Sequence, residues 1–134
     1  PETTLTIPST ARNVISVGAY DSRYLAYADF SGRGYTRVTN EVKPDIAAPG
    51  VEIRTAAPQG GYAQRTGTSF AAPFVTGAAA LLMEWGIVRG NDPFLYGEKV
   101  KAYLRRGARQ LPGNAYPNER LGYGILCVRD SIPV

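Results

Sequence analysis

The stretch Gly67-Thr68-Ser69-Phe70-Ala71-Ala72-Pro73-Phe74-Val75-Thr76-Gly77 decides how the rest of the chain is read. It opens on a glycine, passes through two hydroxyl residues and enters an apolar run, Ala71 to Trp85, that reads as a helix. Pro73 fits only the first turn of such a helix, where its missing N–H would have no partner anyway. The run is apolar nearly all round, which predicts a central, buried helix, and Gly86 is its expected end. A serine at this entrance has three physical advantages. The glycine permits tight backbone geometry. The first turn of the helix offers unpaired N–H groups and the positive end of the helix dipole. A negative oxygen forming beside the serine would be stabilised there. Against this stands a plainer role, because Ser or Thr before a helix is most often a cap for one of those N–H groups. The stretch also differs from the nucleophile elbow Gly-x-Ser-x-Gly, since Ala71 stands where that motif has its second glycine.

Upstream, Val14 to Gly18 is β-branched and mostly apolar and predicts a buried strand. Tyr24 to Phe30 alternates loosely, as a short strand or turn, and Ser31 to Gly34 reads as loop. Asp45 to Ala48 predicts a short strand stopped by Pro49-Gly50, and Val51 to Thr55 a second one. After the turn Gln59-Gly60-Gly61, Tyr62 to Arg65 completes a hairpin. Downstream, Asn91-Asp92-Pro93 is expected to start a second helix that runs through Val100 and Leu104 to a stop at Gly107. Residues 110–120 read as surface loop, as does the polar stretch Pro1 to Arg12. Gly122-Tyr123-Gly124 predicts a tight turn or close backbone contact before the apolar run 125–128.

Composition narrows the chemistry. The chain has 134 residues, enough for one domain, with a formal net charge of +4. Its basic residues are scattered except for Lys99, Lys101, Arg105, Arg106 and Arg109, which read as a solvated helix face. No aromatic stacking pattern accompanies them, so a nucleic-acid partner is not expected. No apolar run approaches the ~18 residues needed to span a bilayer, so a membrane partner is not expected either. The start at Pro1, with no leader-like segment, suggests a processed or truncated product. The single cysteine, Cys127, is expected to be a buried thiol. There is no histidine. That removes the commonest general base and the commonest metal ligand, so neither zinc nor another cofactor is expected. The carboxylates, Asp45 among them, show no paired spacing and read as solvated or capping groups.

The whole constellation resembles the subtilases, whose nucleophile signature is Gly-Thr-Ser-x-Ala-x-Pro-x-Val-x-Gly. Val14 to Ala19, Lys43-Pro44-Asp45-Ile46-Ala47-Ala48-Pro49-Gly50 and Gly122-Tyr123-Gly124-Ile125-Leu126 are similar to family segments in the family's order. The stretches Gly86 to Tyr96 and Tyr116 to Cys127 are similar to the clostridial germination-type proteases that process spore cortex lytic enzymes. The resemblance implies a three-layer α/β/α subtilisin-like fold with a mainly parallel sheet. Residues 1–134 would be its C-terminal portion, with the hairpin standing to one side. It implies a serine endopeptidase acting through an Asp-His-Ser triad and an acyl-enzyme, with Ser69 as nucleophile and its backbone N–H as an oxyanion donor. The Asp, the His and an oxyanion-hole Asn belong to the family's N-terminal half, which this chain lacks. The chain alone is therefore expected to be inactive, and to self-associate or pair with that half. Thr6 and Ile7 fall where the family builds one wall of the pocket for the residue before the cleaved bond, and Ile7-Pro8 is expected to be cis. Arg65, Thr66 and Gly67 are expected to bind substrate on the leaving-group side. Phe74 stands where many members have a non-catalytic His. A cation site in the family uses carboxylates near Asp45, but Asp45 beside Lys43 offers too few ligands to expect one here. Protein or peptide substrates and an extracellular or spore-associated location are implied. The competing reading is a non-catalytic, pseudoprotease-like scaffold that binds a protein partner.

Overall fold

The computed structural model describes residues 2–133, so Pro1 lies outside the described residues. Its centre is a three-stranded sheet. β1 (Val17–Asp21) runs parallel to β3 (Ile46–Pro49), with Val17 opposite Ile46 and Tyr20 opposite Pro49. The two-residue β2 (Ala26–Tyr27) lies antiparallel on the other side of β1. A parallel bridge from Ala47 to Ile125 continues the sheet beyond β3. Side chains alternate between the faces, as a strand requires. Ala19, Ile46 and Ala48 join Ala71, Val75, Ala78 and Leu82 in one core. Tyr20 and Ala47 join Leu121 and Ile125 in the other. Burial on both faces is why these strands read as continuous apolar runs. The hairpin forms a separate sheet: β4 (Ile53–Ala56) pairs antiparallel with β5 (Tyr62–Arg65), Ile53 opposite Arg65.

α1 (Thr68–Met83) packs across β1 and β3 through Ala71, Val75, Ala78 and Leu82. The expectation of an apolar helix buried all round is corrected here. Phe74, Leu81 and Met83 are exposed on its other side, Phe74 beside Ile53 and Thr55 of the hairpin. Nor does Gly86 end the helix. A π-helical turn, Glu84–Val88, continues it, and Arg89 N–H closes that turn on Glu84 O at 3.0 Å. Gly86 serves close packing instead: a Cβ there would lie 2.5 Å from Leu95 Cδ2. The combined stretch Thr68–Val88 spans 21 residues and is by length and composition long enough to cross a bilayer, unlike the short run read from the sequence. One face of it is committed to the sheet.

The second helix also starts later than expected. α2 is Glu98–Gly107, and residues 91–97 form turns, with Gly97 at φ 61° just outside the helix. Asp92 accepts from Lys99 Nζ at 2.6 Å and from Tyr103 Oη at 3.2 Å, so it anchors α2 from a turn ahead of it. The stop at Gly107 holds, and α3 (Val128–Ser131) packs against α2. The basic run is not a uniformly solvated face. Lys101 is buried and Arg105 turns inward, both toward Asp45. Lys99 pairs with Asp92, Arg106 stacks on Tyr103 and Arg109 pairs with Asp130. Cys127 is half-buried rather than buried, its thiol 3.2 Å from Asp130 Oδ2.

Candidate functional site

The entrance to α1 is fixed from the central sheet. Gly50, just past β3, donates to Tyr20 O at 3.0 Å and accepts from Gly67 N–H at 2.8 Å. A Cβ on Gly50 would lie 2.6 Å from Ala19 Cβ and 3.1 Å from Gly67 O, so only glycine lets the two backbones meet there. Gly67 itself is the N-cap, at φ 154° and ψ 159°, a region open in practice to glycine alone. The hairpin is held to the same point: Thr66 Oγ1 accepts from Glu52 N–H at 2.9 Å. Arg23 bridges Glu52 to Asp21, and its hydrogen bond holds the Asp21 carboxyl below the usual aspartate range.

Ser69 is the second residue of α1, two residues past the cap rather than on it. Among the described residues no side chain caps this helix, so the plainer capping role read from the sequence is not the one Ser69 plays. Ser69 is exposed, at a helix end whose first N–H groups lack intrahelical acceptors. Thr68 beside it and Thr6 line one cavity of about 340 Å³, together with Leu5, Ser9, Phe30 and Pro44. The structure thus brings Thr6 next to the serine's neighbour. It does not do the same for Ile7, which is 89% exposed and faces a separate cavity with Tyr35 and Val38. The Ile7–Pro8 bond is cis. Arg65 ends β5 and is exposed, with a long contact from its Nη1 to Gln64 O at 3.4 Å. Phe74 is half-exposed in a shallow groove with Phe70, Pro73, Ile53 and Thr55.

Sequence reasoning missed a second constellation. Asp45 is fully buried, not solvated. Its Oδ2 accepts from Lys43 Nζ at 2.7 Å and from Ser16 N–H at 2.8 Å. Its Oδ1 faces Lys101 Nζ at 3.5 Å and Arg105 Nη2. Arg105 also stacks on the Tyr123 ring, 4.5 Å from its centroid. The only local signal was Lys43, two residues away. Ser16 lies 29 residues upstream, and Lys101 and Arg105 come from α2, more than fifty residues on.

A family model for the subtilase family matches residues 1–124, and the chain belongs to that family. Similarity reaches the CspB protease of Clostridium perfringens, at 50% identity and a TM-score of 0.91 over 96% of this chain. That supports the clostridial branch of the resemblance and the subtilisin-like fold. The serine protease AprX of Bacillus subtilis is 33% identical over 97% of the chain, and the minor extracellular protease Vpr of the same organism 34% over 78%. The chain spans 27% of the CspB chain, 32% of AprX and 13% of Vpr.

Proposed function

We propose that this chain carries the nucleophile of a serine endopeptidase, and that Ser69 is that nucleophile. The observation that carries the reading is the exposed, non-capping Ser69 at the N-terminus of α1, within the subtilase signature. In this reading Ser69 Oγ adds to the scissile carbonyl while a His from another part of the protein, held by an Asp, takes its proton. The carbonyl oxygen becomes an oxyanion, and the Ser69 N–H donates to it. The intermediate collapses to an acyl-enzyme, and the amine leaves with the proton from the His. Water then releases the acid and restores the serine. The cavity shared by Thr6 and Thr68 receives the side chain before the cleaved bond. Arg65, Thr66 and Gly67 contact the leaving segment. Substrates are proteins or peptides in an extracellular or spore-associated setting, and the name of the extracellular relative Vpr supports the first of these.

Without a histidine, this chain alone leaves Ser69 protonated and weakly nucleophilic. Loss of a triad member costs on the order of 10⁴- to 10⁶-fold in rate. Labelling by a fluorophosphonate probe tests both parts. The longer protein is expected to label, its Ser69→Ala form not to, and the 134-residue chain to stay unlabelled. Labelling of the Ser69→Ala form would overturn the assignment. No labelling of the intact longer protein would favour the non-catalytic scaffold.

A further inference from the structure

The Asp45 cluster brings together a buried carboxylate and two backbone carbonyls, a partial oxygen set whose members all have cationic partners. A hard cation such as calcium takes roughly six to eight oxygens from carboxylates and carbonyls. Here the Asp45 carboxylate, Val14 O and Arg12 O converge, but ammonium groups already hold them. Lys43 Nζ donates to Asp45 Oδ2 at 2.7 Å and to Val14 O at 2.8 Å, with its side chain 2% exposed. Lys101 Nζ donates to Arg12 O at 2.6 Å and lies 3.5 Å from Asp45 Oδ1, with its side chain 4% exposed. Arg105 takes the rest of Oδ1. The other carboxylate in reach of Lys101 is the exposed Glu98, at 3.8 Å. Positive charge already outweighs negative in this pocket. Burial pulls Lys101 below the usual lysine range, with Asp45 opposing and Lys43 and Arg105 reinforcing the fall. A metal ion added there would meet three cations, so the residues present do not fit the cation that the family can place near this carboxylate.

We propose that Lys43 and Lys101 stand in for a bound cation at Asp45 and clamp residues 12–16, the C-terminal end of the segment 6–16, against β3 and α2. Three backbone groups of that segment are held: Arg12 O, Val14 O and Ser16 N–H. Thr6 and Ile7 stand at its head. The clamp rests on geometry alone, whereas its effect on substrate rests on the proposed role of Thr6.

Three measurements on the longer protein test this. In crystals soaked in rubidium or manganese(II), no anomalous peak is expected at the Asp45 carboxylate, and a peak there would overturn the proposal. Lys101→Met keeps the stem and removes the charge. Amide exchange across residues 6–16 is expected to speed up about tenfold or more while the buried face of α1 is unchanged. Unchanged exchange in the segment would overturn the clamp. KM for a peptide substrate, measured well below the unfolding temperature, is expected to rise about fivefold with kcat within twofold, and Lys101→Arg to restore it. An unaltered KM would remove the link to substrate. Fluorophosphonate labelling of Ser69 is scored separately, so failure of the clamp and failure of the nucleophile assignment give different results.

Discussion

Gly67 holds the backbone in a region that any Cβ strains, one residue before α1 begins. Gly67→Ala is expected to cost about 1–3 kcal/mol in urea unfolding and to reduce fluorophosphonate labelling of Ser69. Labelling equal to wild type would show that the site does not depend on that conformation. Asp45 sets the opposite problem, a charge whose partners are all internal. Asp45→Ala leaves three cations without their carboxylate, and is expected to cost about 3–5 kcal/mol by the same measurement. A cost under about 1 kcal/mol, the range of exposed pairs, would contradict its burial. These two residues also mark what was legible in the sequence. Gly67 and Ser69 could be read because a turn, a hydroxyl and a helix start are adjacent along the chain. Asp45 could not, because Lys101 and Arg105 reach it through tertiary packing, and charge spacing on one helix says nothing about a distant strand.

Among the elements, the strands around Gly18, Ala47 and the hairpin were readable from β-branched runs and glycine turns. Their edges moved by up to three residues, the Tyr62–Arg65 strand not at all, since pairing partners set them. The start of α2 was misread for a specific reason. Asn91-Asp92-Pro93 has the composition of a helix cap, but Gly97 interrupts the backbone with a positive φ. Asp92 contributes through its side chain instead. The Lys99 hydrogen bond, then the Lys99 charge and the Tyr103 hydroxyl, hold its carboxyl below the ordinary value of 3.8, against some desolvation. A carboxylate with a depressed pKa stabilises the fold fully above its ordinary value, and that stability is lost as pH falls through the lower, folded value. Asp92→Asn is therefore expected to lower the urea midpoint at neutral pH, with the difference closing in acid. A difference that stays constant across the titration would mean the effect is packing, not charge.

At the scale of the molecule, the order of segments carried the fold class, and the similarity to subtilases bears it out. What the pattern could not show is which side of α1 has a neighbour. An apolar helix reads the same whether both faces are covered or one. Here Phe74, Leu81 and Val88 are exposed, and contiguous exposed apolar surface favours association. The 134-residue chain is expected to self-associate at micromolar concentration in sedimentation experiments, and Leu81→Asp to reduce that association without loss of helicity. A monodisperse monomer would show that this face is tolerated in water.

The bridge between Ala47 and Ile125 sets an order of events during synthesis. Ala47 N–H is answered by Gly124 O, and Ala47 O by Leu126 N–H, at 3.0 and 2.8 Å. While the ribosome still holds residues 124–126, β3 lacks one of its two neighbours, although Ser69 has already been translated. The strand that steadies Gly50, and through it the serine, gains its second neighbour only once residues 124–126 have left the ribosome. Nascent chains stalled before and after residue 126 would differ in how firmly that serine is held.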